Sequence, residues 1–171
     1  MARTLMAAVV LALALAVGAG NSEPASTSSA SGSCPVTLPN RTVPPGAGFT
    51  AAGFNYGNAY LRAHLYWPHG TLTAGTLPDG GAMAIINPNG SISAKLGWWR
   101  GLPGKLVIRG RRLDAAAPPL RADVPDGYGS LGFQATGLTF STVGCWQVVG
   151  KVGRARLTFV VKVTKVKKRA G

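Results

Sequence analysis

Glycine and proline punctuate this chain so evenly that, past its N-terminal apolar run, only two windows of ten or more residues contain neither: Asn58–Trp67 and Arg154–Ala170. There are 24 Gly and 12 Pro in 171 residues. In a helix interior a glycine costs about 1 kcal/mol and a proline about 3. Dispersed like this, they exclude an all-α fold and a doubly wound α/β fold. What they permit is short strands joined by turns, and hydrophobic alternation of period two marks where those strands lie.

In Ala59–Trp67, Leu61, Ala63, Leu65 and Trp67 share one face, while Tyr60, Arg62, His64 and Tyr66 share the other, polar one; His64 there and His69 in the following turn are expected to be solvated. Pro68-His69-Gly70 predicts a turn, after which Thr71–Ala74 returns. Ala82–Ile86 is an apolar strand stopped by Asn87-Pro88-Asn89-Gly90, a strong turn signal. Ser91–Leu96 alternates, and Lys105–Arg109 directs Leu106 and Ile108 inward. Leu131–Phe140 is a strand in which Gly132 and Gly137 are candidate bulges. The clearest pair is Cys145–Val149, leading through Gly150–Gly153 into Arg156–Thr164. Roughly seven to nine such strands predict an all-β, antiparallel sandwich, with a small closed barrel as the alternative.

The N-terminus is an address. Arg3 precedes an apolar core from Leu5 to Val17, and Val17-Gly18-Ala19 supplies the small residues a signal peptidase reads. Residues 1–20 are therefore expected to be a signal peptide cleaved near Ala19. The run falls short of the roughly 18–20 apolar residues a spanning helix needs, and a retained N-terminal anchor is the alternative. Residues 21–33 are Ser-rich and hold nothing large and apolar, so they predict a disordered linker. The folded domain is expected over 34–164, followed by a basic tail over 165–171. Export into an oxidising compartment and an even count predict a disulfide between Cys34 and Cys145. Without a CxxC spacing there is no support for a redox or zinc site.

Several short motifs occur in order: Cys34-Pro35-Val36-Thr37-Leu38-Pro39-Asn40, Tyr56-Gly57-Asn58, Gly97-Trp98-Trp99-Arg100-Gly101, Gly110-Arg111-Arg112-Leu113-Asp114, Asp126-Gly127-Tyr128-Gly129, Gly144-Cys145-Trp146 and Leu157-Thr158-Phe159-Val160. Together they resemble a family of uncharacterised bacterial exported proteins and lipoproteins that carry an immunoglobulin-like β domain. The resemblance spans most of Cys34–Val163. It implies an extracytoplasmic location and an Ig-like β-sandwich, and it implies no activity. Lipoprotein relatives carry a cysteine directly after the apolar run. Here the first cysteine is Cys34, too far downstream for that role.

Chemistry-bearing residues are sparse. Asp79 and Asp126 precede glycines and predict turns. Asp114 and Asp123 flank an Ala-Pro-rich stretch, within reach of Arg111, Arg112 or Arg121. His64 and His69 are five residues apart across a strand and its turn, with no acid or cysteine nearby, which is a poor metal site. No nucleophile elbow or phosphate-cradling glycine motif occurs. The expectation is therefore no catalytic site, no metal and no cofactor. Trp98 and Trp99 are adjacent on a strand, so one faces the core and the other faces out. With Arg100 and Tyr128, the outward ring offers a stacking surface for a sugar or planar ligand. Trp146, beside Cys145, is expected in the core.

Charge is the other functional signal. Lys and Arg number 18 against 5 acids, a net +13 that becomes +12 once Arg3 leaves with the signal. Two acid-free runs concentrate it: five cations in Arg100–Arg112 and eight in Lys151–Arg169. Arg109, Arg111, Arg112, Lys165, Lys167, Lys168 and Arg169 are the candidate polyanion-binding residues. The runs carry no reading helix or aromatic ladder, which argues against specific nucleic-acid recognition. The sequence thus predicts a secreted, monomeric, non-enzymatic module that binds an anionic envelope polymer, a lipid surface or a protein partner. A small carbohydrate- or ligand-binding domain using Trp98, Trp99 and Tyr128 is the alternative.

Overall fold

The computed structural model describes residues 33–41, 55–75 and 84–166. The expected signal peptide, all of the linker but Ser33, Asp79 and the tail beyond Val166 lie outside the described residues.

Among the described residues the chain forms ten strands: β1 (Asn55–Gly57), β2 (Leu61–His64), β3 (Thr71–Ala74), β4 (Ala84–Ile86), β5 (Ile92–Arg100), β6 (Val107–Arg112), β7 (Arg121–Asp123), β8 (Gly132–Phe140), β9 (Gly144–Val152) and β10 (Ala155–Lys165). They make two sheets. The first has the order β1-β2-β5-β8-β7, with β4 pairing β5 beside β2; the second has the order β3-β10-β9-β6. The fold is an all-β sandwich, and the barrel alternative falls away. The strand count exceeds the expected seven to nine because β1 and β7, with only three residues each, went unread. Three residues are too few for alternation to register.

The inner faces follow period two. In β5, Ile92, Ala94, Leu96 and Trp98 are buried, and in β10 so are Phe159, Val161 and Val163. The sheets interlock through rings: Trp98 meets Phe159 at 6.0 Å between centroids, Phe140 meets Trp146 at 5.5 Å, and Tyr56 meets Phe159 at 5.3 Å. Trp98 also lies directly on Gly150 of β9. A Cβ there would fall 2.4 Å from the indole Cη2 and Cζ3 atoms.

Four expectations are corrected. The connection expected over Gly150–Gly153 is only Gly153-Arg154: β9 continues to Val152, with Gly150 paired to Ile108 and Leu157, because a glycine without a side chain leaves room for Trp98 there. Thr71–Ala74 does not return along β2. At the Pro68–Gly70 turn, His69 and Gly70 take positive φ (52° and 64°). The chain crosses to the second sheet, where β3 runs parallel to β10, with Thr71 opposite Lys162 and Ala74 opposite Lys165. The sandwich therefore contains one parallel pair. Nor are there bulges at Gly132 or Gly137: the β5–β8 register is unbroken from Ile92–Phe140 to Arg100–Gly132. With no bulge to change the phase, Phe133 points away from the core that Leu138 and Phe140 enter, and it is 45% exposed. The last strand reaches Lys165, one residue further than expected, and the Val166 N–H donates to Ala74 O at 2.9 Å.

The bridge is present. Cys34 and Cys145 are joined, with Cα atoms 5.4 Å apart. Trp146 and Val148 point inward and are fully buried. Cys145, of opposite parity, lies on the outer side of β9. The bridge thus fastens the first described segment onto the second sheet. Thr37 completes the attachment: its N–H donates to Val160 O, its hydroxyl accepts from Val160 N, and its carbonyl accepts from the Tyr56 hydroxyl at 3.0 Å. Burial of that phenol pushes its pKa up to about 12.

Candidate functional site

The outer face of the second sheet gathers the cations. Because Ile108, Val148, Val152, Phe159 and Val161 fill the inner face, the intervening residues must point outward. On β6 these are Val107, Arg109 and Arg111; on β9, Gln147, Val149 and Lys151; on β10, Arg156, Thr158, Val160 and Lys162. Register sets the two-dimensional pattern. Val107 lies opposite Lys151 and Arg109 opposite Val149, so cation and valine alternate like a checkerboard. Lys151 in turn lies directly opposite Arg156.

Like charges placed directly across a ladder oppose folding. Here no carboxylate among the described residues sits between them: Asp123 is in β7 of the other sheet, Asp126 is in the loop after it, and Asp114 is held by Arg112. Two weak polar contacts order the guanidinium groups, Arg111 Nε to Gln147 Oε1 and Arg156 Nε to Thr158 Oγ1, each at 3.4 Å. Near the β9–β10 turn the face is indented. A shallow cavity of about 330 Å³ is lined by Lys105, Val107, Arg109, Val149, Lys151 and Gly153.

Of the candidate polyanion-binding residues, Arg109 and Arg111 belong to this face. Arg112 does not: it shares the parity of Ile108 on β6, and its Nε donates to Asp114 Oδ1 at 2.6 Å, a contact that holds the carboxyl below the ordinary range. Its charge is already compensated. Lys165 is exposed at the end of β10; Lys167, Lys168 and Arg169 lie outside the described residues. Sequence inspection missed Lys105, Lys151, Arg156 and Lys162 as members. All four sit in the two acid-free runs, and the missing information was which residues of those runs share a parity and a sheet.

The expected stacking set divides. Trp98 is fully buried in the core, and Arg100 is buried at 4% exposure. Arg100 shares the inward parity of Trp98 and ties two loops: Nη1 donates to Gly104 O at 3.2 Å and Nη2 to Gly129 O. Both leave the ligand-facing set. Trp99 faces out and is half-buried under the Arg62 guanidinium, 5.3 Å from its ring centroid. Trp99 lies opposite Phe133 across the β5–β8 ladder, and Tyr128 meets Phe133 edge-on at 6.3 Å. Trp99, Phe133 and Tyr128 therefore gather on the outer side of the first sheet, opposite the cationic face. Phe133 was not among the expected ligand-facing residues; its outward position follows from the unbroken β5–β8 register, which places it beside Trp99.

His64 and Arg62 are not solvated: each is 6% exposed. His64 Nδ1 lies 2.6 Å from Asn55 Oδ1, and Tyr66 packs edge-on at 4.7 Å. Burial lowers the imidazole pKa. Among the described residues no group of three His, Cys, Asp or Glu side chains converges. No protein-family model, curated protein or solved structure matches this chain.

Proposed function

We propose that this chain is an exported, non-enzymatic Ig-like module that binds an anionic envelope component through the outer face of its second sheet. The observation that carries this reading is the acid-free cationic pattern across β6, β9 and β10, with Lys151 directly opposite Arg156. A face shaped only for folding would relieve that pair with a carboxylate. An anionic ligand relieves it instead, and the field of the whole face adds to the attraction. The Cys34–Cys145 bridge is compatible with an oxidising compartment. The Ig-like assignment is supported by the strand order, in which β2-β5-β8-β7 faces β10-β9-β6 with crossings between the sheets. It departs from antibody domains in the bridge, which joins the N-terminal segment to β9 rather than β5 to β9.

Lys151→Glu tests the reading, because stability and binding move in opposite directions. The new carboxylate pairs with Arg156, so stability should hold or rise by about 0.2–1 kcal/mol. Binding to a polyanion such as long-chain polyphosphate at low salt should fall at least about tenfold. Unchanged low-salt binding refutes the proposal. Unchanged binding with new self-association would mean that the cations serve to keep edge strand β6 from pairing with other chains.

A second reading rests on the Trp99–Phe133–Tyr128 cluster: a carbohydrate stacking on exposed rings. Titration with neutral oligosaccharides, comparing wild type with Phe133→Ser, tests it. Saturable binding lost in the variant would support it, and no binding by wild type would remove it.

A further inference from the structure

Within the cationic face, we propose that the indentation beside the β9–β10 turn is a discrete subsite for an anionic amphiphile, a phosphate-type head joined to an apolar body. The inference rests on the polyanion reading above and names the ligand class of its indented part.

Its lining separates into two kinds of surface. Lys105, Arg109 and Lys151 supply three cations, and Val107 and Val149 supply an apolar floor. The register fixes their relation. Val107 opposite Lys151 and Arg109 opposite Val149 place the two cations on one diagonal of a four-residue square and the two valines on the other. Diagonal neighbours in an antiparallel pair lie roughly 7–8 Å apart. One tetrahedral oxyanion can thus be held between the Arg109 guanidinium fork and the Lys151 ammonium. Whatever the oxyanion is esterified to is then directed over a valine. Val107 is 44% exposed, apolar area available for that contact. Gly153, at φ 52° in the turn between β9 and β10, adds no side chain at the rim. A bare inorganic ion would use the cations and leave the valines wet. A polyanion without apolar parts would do the same all along the face. Only a head with an attached apolar body uses both. A membrane headgroup with its acyl stem and a free alkyl phosphate share this chemistry.

The test uses the full chain with its bridge formed. Hexyl phosphate, monodisperse at working concentration, is compared with inorganic phosphate by calorimetry. Hexyl phosphate should bind at least about tenfold more tightly, the effect of two methylenes leaving water. In Val107→Thr/Val149→Thr that preference should disappear. Threonine keeps the β-branched shape that a strand favours, so the variant retains the fold. Binding of long-chain polyphosphate should be unchanged in it. Equal affinity of wild type for the two phosphates, or an undiminished preference in the double variant, overturns the subsite while leaving the polyanion reading intact. Loss of polyphosphate binding in Lys151→Glu without loss of hexyl phosphate affinity overturns the subsite as well, because Lys151 is one of the cations that hold its phosphate head. Vesicles containing phosphatidylglycerol identify the source. Vesicle binding weakened by the threonine pair assigns the site to a membrane headgroup; vesicle binding insensitive to it, with the hexyl phosphate preference lost, assigns it to a free solute.

Discussion

Gly150→Ala is the sharpest test of how the two sheets meet. Gly150 lies in the middle of the second sheet, opposite Ile108 of β6 and Leu157 of β10. Its inward side is occupied by Trp98 from the other sheet. An added Cβ would stand 2.4 Å from two indole carbons, whereas carbon atoms in contact prefer roughly 3.5–4.0 Å. The ring must therefore retreat by about 1 Å or more. It has nowhere to go, since Trp98 is fully buried and already packed against Phe159. Overpacking of this kind typically costs about 1–3 kcal/mol. Removing glycine from the unfolded chain returns about 0.4–1 kcal/mol. The net expectation is a loss of about 1–2 kcal/mol, read as a lower urea midpoint at unchanged slope. For a domain of this size it corresponds to a fall in Tm of about 3–5 °C per kcal/mol. Trp98→Phe removes the offending part of the indole, so Gly150→Ala in that background should change stability by no more than about 0.5 kcal/mol. A neutral Gly150→Ala in the wild type, or an equal cost beside Phe and beside Trp, would refute a clash between the added methyl and the Trp98 ring.

Other expectations follow from the same packing. Trp98→Ala should cost about 3–5 kcal/mol through lost transfer energy and cavity formation; Trp99→Ala, which loses half-buried area and the Arg62 contact, should cost about 1–2 kcal/mol, and equal losses in urea unfolding would contradict the assigned parity. Replacing both cysteines by serine should cost about 4–5 kcal/mol on the chain-entropy argument for a sequence separation of 111; amide exchange should then rise first at Thr37 and Val160, and uniform exchange would show that the segment is held without the bridge. The lowered pKa of buried His64 makes stability pH-dependent. Above the unfolded value of 6.5 its contribution is complete; as pH falls below 6.5 the unfolded chain takes up the proton first, and stability drops until the folded state protonates too. The loss between pH 7.5 and 5 should shrink in His64→Asn, and an identical profile would remove His64 as the cause. A second decline belongs below pH 3.8, where Asp114 protonates and releases Arg112; Asp114→Asn should flatten it.

Much of the fold was legible because period two is a local property. In β5 and β10 the alternation over Ser91–Leu96 and Arg156–Thr164 marks both the strand and its buried face, because the pleat alone produces that pattern; β9 was legible only over Cys145–Val149, since Gly150 reads as a turn residue and is paired on both sides within the sheet. The turn Asn87–Gly90 was equally legible: the Gly90 N–H closes onto Asn87 O at 2.9 Å, a bond made within four residues. The bridge followed from a count of two and an expected compartment. The tertiary structure alone decided everything that needed a partner distant in sequence. Alternation gives a strand two faces but does not say which is covered, so His64 reads as solvated and is buried, with Arg62 buried beside it. It does not say which sheet a strand joins, so β3 was placed beside β2 and lies parallel to β10. The cationic face is the clearest case. Arg109 and Arg111 come from one run, and Lys151, Arg156 and Lys162 from another about forty residues later. Each run was visible by itself. Their union on one face depends on the β6–β9 and β9–β10 registers, while Arg112 is left off it by its parity on β6 and has its charge compensated by Asp114. Pleat geometry is written in neighbouring residues, whereas register and burial are properties of strands that meet only after the chain has folded.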